Sequence, residues 1–220
     1  MNFFLTYSGP LKAKQGDARA GQLDKKAGHV HQIRSTFHRQ MRRLWQTNVS
    51  LKDKVSWRTD YGVEKRQPDG LSYISPNPDE REPLVDIVAD LYQELGYRFV
   101  PLVREDWKIR CELDVLFLRM DPPGSIYEAG DIDNRIKTLL DALRRPLNHN
   151  ELQGNETPKE DEDPFFTLLE DDKLVTDLRV RTGTLLEVED EKALDQSYSR
   201  LLISVSIKPV QVTTFNLSFA

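Results

Sequence analysis

From Lys108 to Phe117 the apolar residues Ile109, Cys111, Leu113, Val115 and Phe117 alternate with Lys108, Arg110, Glu112 and Asp114. A period of two marks a strand with one face in a core and the other in solvent. No other stretch constrains the fold as tightly, because such a strand needs neighbours, and the apolar face of the resulting sheet needs a cover. The cover is encoded on both sides of it. Val30, Ile33, Phe37, Met41, Leu44 and Trp45 fall at helical spacing, "EPLVDIVADLYQEL" (82–95) is a second amphipathic helix ending before Gly96, and residues 133–145 form a third. Further strands are predicted at 2–8, 97–103, 173–183 and 200–210. The order strand, helix, helix, strands, helix, strands predicts one α+β domain over residues 1–220, its sheet packed on helices. Residues 12–28 read as a basic loop. The polar stretches 50–80 and 146–164 read as insertions, the second an exposed loop.

A chain of 220 residues is long enough to bury one sizeable core. Its single cysteine, Cys111, excludes an internal disulfide and a multi-cysteine zinc site, and fits a reducing cytoplasm. "MNFFLTYSGP" has no basic region of the kind that opens a signal peptide, and no run approaches the roughly 18 apolar residues of a membrane span. A soluble cytoplasmic protein with no membrane partner is expected.

Charge is distributed unevenly. The formal net charge is −5, yet residues 1–48 carry nine Lys or Arg against two acids, and residues 151–172 carry nine acids against Lys159 alone. A basic front can serve a polyanion even in an acidic chain. On the first long helix, Arg34, His38 and Arg42 recur every four residues, flanked by Arg39 and Arg43. That spacing predicts a basic stripe facing DNA phosphates. The acidic run is either a solvated excursion or a seat for a protein partner at 151–163.

Asp131 and Asp133 stand one residue apart at the mouth of the third helix, and Lys137 follows Asp133 by one turn. Either carboxylate can cap the helix, since Asp oxygens accept the orphan N–H groups of a first turn and suit the helix dipole. The same pair can also hold a metal ion. Glu170, Asp171 and Asp172 run straight into a predicted strand, a cluster that asks for a cation or for solvent. A hard cation such as Mg²⁺ takes a few carboxylates, waters and phosphate oxygens.

"GDIDNRIKTLLDAL" followed by "LLEDDKLVTDL" resembles the RusA-type Holliday junction resolvases. The match runs through Asp131, Asp133, Asn134, Lys137, Asp141-Ala142-Leu143 and Asp171-Asp172, and covers residues 105–182. The resemblance implies a mixed sheet packed on helices in an intimate homodimer. It further implies a Mg²⁺-dependent endonuclease (with Mn²⁺ as a substitute) that cuts branched DNA such as four-way junctions in recombination and repair. By the same resemblance Asp131, Asp133 and Asp172 are metal-binding catalytic acids, Lys137 is the catalytic lysine, Asp171 a supporting acid and Asp141 a structural helix residue. The chain is longer than a small member of that family, chiefly through its two insertions. The rival expectation is a catalytically silent DNA- or protein-binding module on the same fold.

His29, His31 and His38 lack the cysteines or paired carboxylates that zinc would need, and read as additions to the basic surface. Trp57, Tyr61 and Tyr73 could stack on unpaired bases or pack a loop on the body. No phosphate-binding glycine loop and no Gly-X-Ser-X-Gly motif is present, which removes nucleotide hydrolase and serine hydrolase chemistry.

Overall fold

The computed structural model describes residues 1–12, 20–57, 81–120, 132–186, 197–213, 216 and 219, without the side chains of 20–26. Within them the architecture is α+β, with mixed sheets. The predicted alternation is realised as strand β6 (Ile109–Arg119), where Ile109, Cys111, Leu113, Val115 and Phe117 are all buried. Its partners are β1 (Asn2–Pro10), β9 (Tyr198–Pro209) and β8 (Val175–Thr184), in the order β1-β9-β6-β8. β9 runs antiparallel to both β1 and β6, whereas β8 runs parallel to β6, so this four-stranded sheet is mixed. A smaller sheet orders β4 (Gln93–Glu94), β5 (Tyr97–Val103) and β7 (Phe165–Leu169), with β5 and β7 parallel. A two-stranded ribbon pairs β2 (Val55–Ser56) with β3 (Glu82–Pro83).

Three helices complete the core: α1 (Ala20–Thr47), α2 (Leu84–Leu91) and α3 (Ile132–Leu143). The stripe Ile33, Phe37, Met41 and Trp45 of α1 joins Leu5, Tyr7, Val115, Phe117, Ile203 and Val205 of the large sheet in one cluster. Leu139, Ala142 and Leu143 of α3 and Val100, Leu168 and Leu169 of the small sheet belong to the same cluster. At about 1.5–3 kcal/mol per fully buried large aliphatic or aromatic side chain, this shared core dominates the driving force for folding. No helix among the described residues is long and apolar enough to cross a membrane.

Three boundaries differ from the sequence expectation. α1 begins at Ala20, so the second part of the expected basic loop is helical; elongation from an anchored stripe fixes one residue per hydrogen bond gained, and no proline intervenes. Residues 13–19 lie outside the described residues, as do 58–80 of the first insertion. α2 stops at Leu91 rather than Leu95. Leu95 (φ 55°) and Gly96 (φ 83°) form a two-residue turn that pairs Gln93 and Glu94 with Arg98 and Tyr97. Two successive positive φ values match the twist of a tight hairpin.

The third difference is the largest. Residues 146–164 are exposed at most positions, as expected, yet form a built segment with 3₁₀ turns at His149–Glu151 and Glu160–Glu162. Leu152 is buried with Tyr97, Phe99 and Phe165. Glu162 is 3 % exposed and accepts hydrogen bonds from the Ser35 hydroxyl (2.9 Å) and the Lys159 backbone N–H (3.1 Å). The acids nearest α1 are thus structural partners.

Two histidines expected on the surface are buried in this junction. The Phe166 N–H donates to His38 Nδ1 (2.8 Å), so the neutral ring keeps its proton on Nε2 and donates it to the Asp161 carbonyl (2.9 Å). His31 packs against Phe165 and the edge of Tyr97, and burial pushes its pKa down from 6.5 to about 4. A depressed histidine pKa means that the unfolded chain binds the proton first. Stability conferred by neutral His31 is therefore complete above pH 6.5 and lost as pH falls toward 4. That loss is roughly 3 kcal/mol for a shift of this size. Denaturant melts of wild type and His31→Phe between pH 7 and pH 4 should diverge in this window, the variant losing less stability on acidification. Parallel curves would place the acid sensitivity elsewhere.

Candidate metal and DNA site

α3 opens on Ile132 and carries Asp133 in its first turn; Asp131 falls outside the described residues. The spacing of four that placed Asp133 and Lys137 on one helix face is realised as an ion pair, Lys137 Nζ to Asp133 Oδ2 at 3.3 Å. Both side chains are more than half exposed, so the pair lies at the surface of the protein. Deeper along the helix, Asp141 pairs with Arg144 at 2.7 Å and is 15 % exposed, which fits its expected structural role.

The acidic triplet divides its work residue by residue. Glu170 accepts from the Glu105 backbone N–H (2.9 Å), tying the exit of β7 to the turn that follows β5. Asp171 accepts from the Lys173 N–H (2.9 Å) and caps the 3₁₀ turn Asp172–Leu174. That N–H, followed by the neighbouring Asp172 side chain and the charge of Lys173, holds the Asp171 carboxyl below the usual carboxylate range. Asp172 is the exposed member, on a 3₁₀ turn that precedes β8 rather than on the strand itself. Buried Leu174 anchors that turn in the core.

The chain beyond β7 is tied to α3 at two places. Arg144, just past the helix, forms a parallel bridge with Leu169, and Arg145 donates its N–H to the Leu169 carbonyl (3.0 Å). The Asp172–Leu174 turn then packs against α3 itself and against β6. Helix and turn, separate in sequence, are neighbours in the fold. No group of three or more His, Cys, Asp or Glu side chains placed to hold a metal ion occurs among the described residues. Asp133 and Asp172 do offer the hard carboxylate oxygens that Mg²⁺ or Mn²⁺ takes.

The basic stripe on α1 is corrected by the structure. Arg34 is 1 % exposed and His38 likewise, so neither faces solvent. Arg34 instead donates to the Arg144 carbonyl (3.1 Å) and the Asp141 carbonyl (2.9 Å), with Glu151 at 3.9 Å. It satisfies carbonyls that the end of α3 would otherwise leave unpaired. The period of four placed Arg34, His38 and Arg42 on one face but could not tell which part of that face the second insertion covers. Arg39, Arg42 and Arg43 are exposed, and Arg42 also reaches the Asp161 carbonyl (3.3 Å).

Sequence reasoning missed the ion network that fixes this region, in which Arg144 meets Asp141 and Glu151 (2.9 Å) beside Arg34. Its one sequence signal was the presence of acids in a segment otherwise read as solvated. No protein-family model matches the chain, and no curated protein or solved structure is significantly similar to it.

Proposed function

We propose that this protein is a divalent-metal-dependent endonuclease acting on branched DNA, the activity implied by its resemblance to the RusA-type resolvases. One observation supports the reading. The helix that begins with the Asp133–Lys137 pair packs against the turn whose exposed acid is Asp172, and along the sequence these residues follow the order of the resemblance. Capping alone accounts for Asp171, and a backbone contact accounts for Glu170; neither accounts for Asp172.

In this proposal Asp131, Asp133 and Asp172 hold Mg²⁺ or Mn²⁺, with Asp171 bracing the turn. A bound ion of this kind polarises the phosphoryl group and lowers the pKa of water enough to make it a nucleophile at neutral pH. Lys137 keeps its ammonium beside Asp133 and neutralises charge gathering on the scissile phosphate. Arg39, Arg42 and Arg43 contact the DNA backbone and set its position without reading its bases. The competing reading, a silent binding module, draws on exposed Glu160, Asp161 and Asp163 beside the basic helix, a surface suited to a protein partner.

The test is incubation of the purified protein with an end-labelled four-way junction, with and without Mg²⁺. The proposal expects nicks only with metal, paired across the junction, and leaving 5′-phosphate ends. An intact junction at every Mg²⁺ and Mn²⁺ concentration would favour the binding module.

A further prediction concerns the surface. Neutralising Arg39, Arg42 and Arg43 together should weaken junction binding equally for different sequences. The slope of log affinity against log salt should shrink by roughly 0.9 for each phosphate the protein no longer neutralises. Arg34→Gln should leave that slope unchanged, since its guanidinium is occupied inside the protein. Fluorescence anisotropy over a salt series measures both.

A further inference from the structure

A cleft of about 300 Å³ opens between the end of α1 and the start of α2. Its outer wall is the chain that leaves α1. The Leu44 carbonyl accepts from the Asn48 N–H (2.9 Å), and the Asn48 carbonyl accepts from the N–H groups of Leu51 (3.0 Å) and Lys52 (2.8 Å). These bonds turn the chain tightly off the helix. The Lys54 carbonyl then accepts from the Leu84 N–H (2.8 Å), where α2 begins. The segment that carries Lys52 to Lys54 is thus held at both ends.

The lining divides into an apolar floor and a polar rim. Trp45, Leu51 and Phe166 are buried members of the core, and with half-buried Val85 they give the floor an apolar, partly aromatic surface. The rim is Gln46, Lys52, Asp53 and Lys54. Asp53 is 85 % exposed and has Lys52 beside it at 3.8 Å. Lys54 differs from both. It is half-buried, and no carboxylate among the described residues forms an ion pair with it. Its ammonium lies 6.0 Å from the centre of the Trp107 ring. Burial alone lowers its pKa below the ordinary lysine value, the mark of a cation that has given up water without gaining an anion.

We propose that this cleft is a nucleotide-binding site, with the base on the floor of Trp45, Leu51 and Phe166 and the phosphate on Lys54 and Lys52. A base is apolar on its faces and carries hydrogen-bonding groups on its edges. Its face suits the floor, and the exposed Gln46 amide at the rim can both donate to and accept from an edge. The lysine ammonium is a compact point charge of the kind that binds phosphate. Pockets for small ligands start at roughly 300 Å³, so the cleft admits a single ligand of this class.

The surrounding charge agrees. Gln46 follows Arg42 by four residues and Arg43 by three, so these exposed arginines stand one helical turn from the rim. A strand whose backbone follows them can place one unpaired nucleotide in the cleft. A free nucleotide offers the same chemistry. The site rests on the cleft and on Lys54, and needs neither metal nor cleavage.

Tryptophan emission of the full-length protein, titrated in EDTA, tests the proposal. Thymidine 5′-monophosphate should quench it to saturation, since Trp45 lies in the floor. Thymidine lacks the phosphate and ribose 5-phosphate lacks the base; each should bind at least tenfold more weakly, read by competition. Lys54→Gln should weaken monophosphate binding at least tenfold, to the level of thymidine, and leave thymidine affinity unchanged. Val85→Phe fills the cleft from the α2 side and should weaken both. Unchanged melting of the two variants separates these losses from misfolding. An oligothymidylate single strand that binds tighter than the monophosphate, and loses affinity in both variants, assigns the site to unpaired DNA; one that binds no tighter assigns it to a free nucleotide. The proposal is overturned by an absence of saturable quenching, by thymidine binding as tightly as its monophosphate, or by unchanged affinity in either variant. Competition by N-acetylphenylalanine as strong as that of the monophosphate would also overturn it, by making the cleft a seat for carboxylates. Junction cleavage is scored separately. Nucleotide binding without cleavage removes the nuclease reading alone, and cleavage without nucleotide binding removes this site alone.

Discussion

Asp133→Asn should reduce metal-dependent cleavage about 1000-fold or more, equivalent to about 4 kcal/mol of lost transition-state stabilisation, while leaving the fold and junction binding intact. The sizes of the competing effects make the experiment decisive. Asn caps a helix as well as Asp does. The Asp133–Lys137 pair that it would break is exposed and spaced at i, i+4, a geometry worth only about 0.3–0.5 kcal/mol. A structural role therefore predicts almost no change in melting and none in cleavage. A metal-binding role predicts the opposite pattern, since a neutral amide replaces an anionic ligand. Binding should hold or tighten, because one fewer negative charge faces the phosphates. Asp172→Asn should behave alike, whereas Asp171→Ala should mainly loosen the turn that Asp171 caps. Lys137→Ala should slow cleavage with metal affinity retained, because a charged lysine is not a ligand. Full activity in Asp133→Asn would return the helix mouth to capping alone.

The largest expected stability effect lies at Arg34. Arg34→Ala should destabilise the protein by about 3–5 kcal/mol, the cost of breaking a buried charged pairing by removing one partner. Three effects coincide in that variant. The carbonyls of Asp141 and Arg144 go without their donor, Glu151 without a neighbouring cation, and the space of a long side chain at 1 % exposure is left unfilled. For a chain of this size each kcal/mol moves the melting temperature by roughly 2–4 °C, so a fall of about 6–20 °C is expected by calorimetry. Exposed Arg39→Ala, on the same helix, should shift it by less than about 2 °C. If the two variants melted alike, Arg34 would not be the tie between α1 and α3.

That contrast also shows where sequence reading succeeds. The alternation at 109–117 and the stripe at 30–45 were legible because a half-buried strand and a core-facing helix impose periods of 2 and 3.6 on residues close in sequence. The Asp133–Lys137 pair was legible for the same reason, as a contact one helical turn long. Contacts that depend on distant segments left no such trace. Arg34 and His38 share a period with Arg42, and the first two are buried where the end of α3, β7 and the segment 149–163 pack on α1. The stop of α2 at Leu91 depends on a two-residue turn whose positive φ at Leu95 composition does not announce. Within Glu170-Asp171-Asp172 residue type and spacing offered three like acids, told apart only by the resemblance, and backbone N–H groups from Glu105 and Lys173 now show which two are engaged within the fold.

The central claim is that the mouth of α3 and the Asp172 turn share one divalent ion, and it can be measured without any DNA. Isothermal titration of Mn²⁺ into the wild-type protein should show one site per chain. That site should be abolished or weakened at least tenfold both in Asp133→Asn and in Asp172→Asn, two variants on separate elements. Equal Mn²⁺ binding by wild type and both variants would contradict the shared site and leave the two acids as unrelated surface groups.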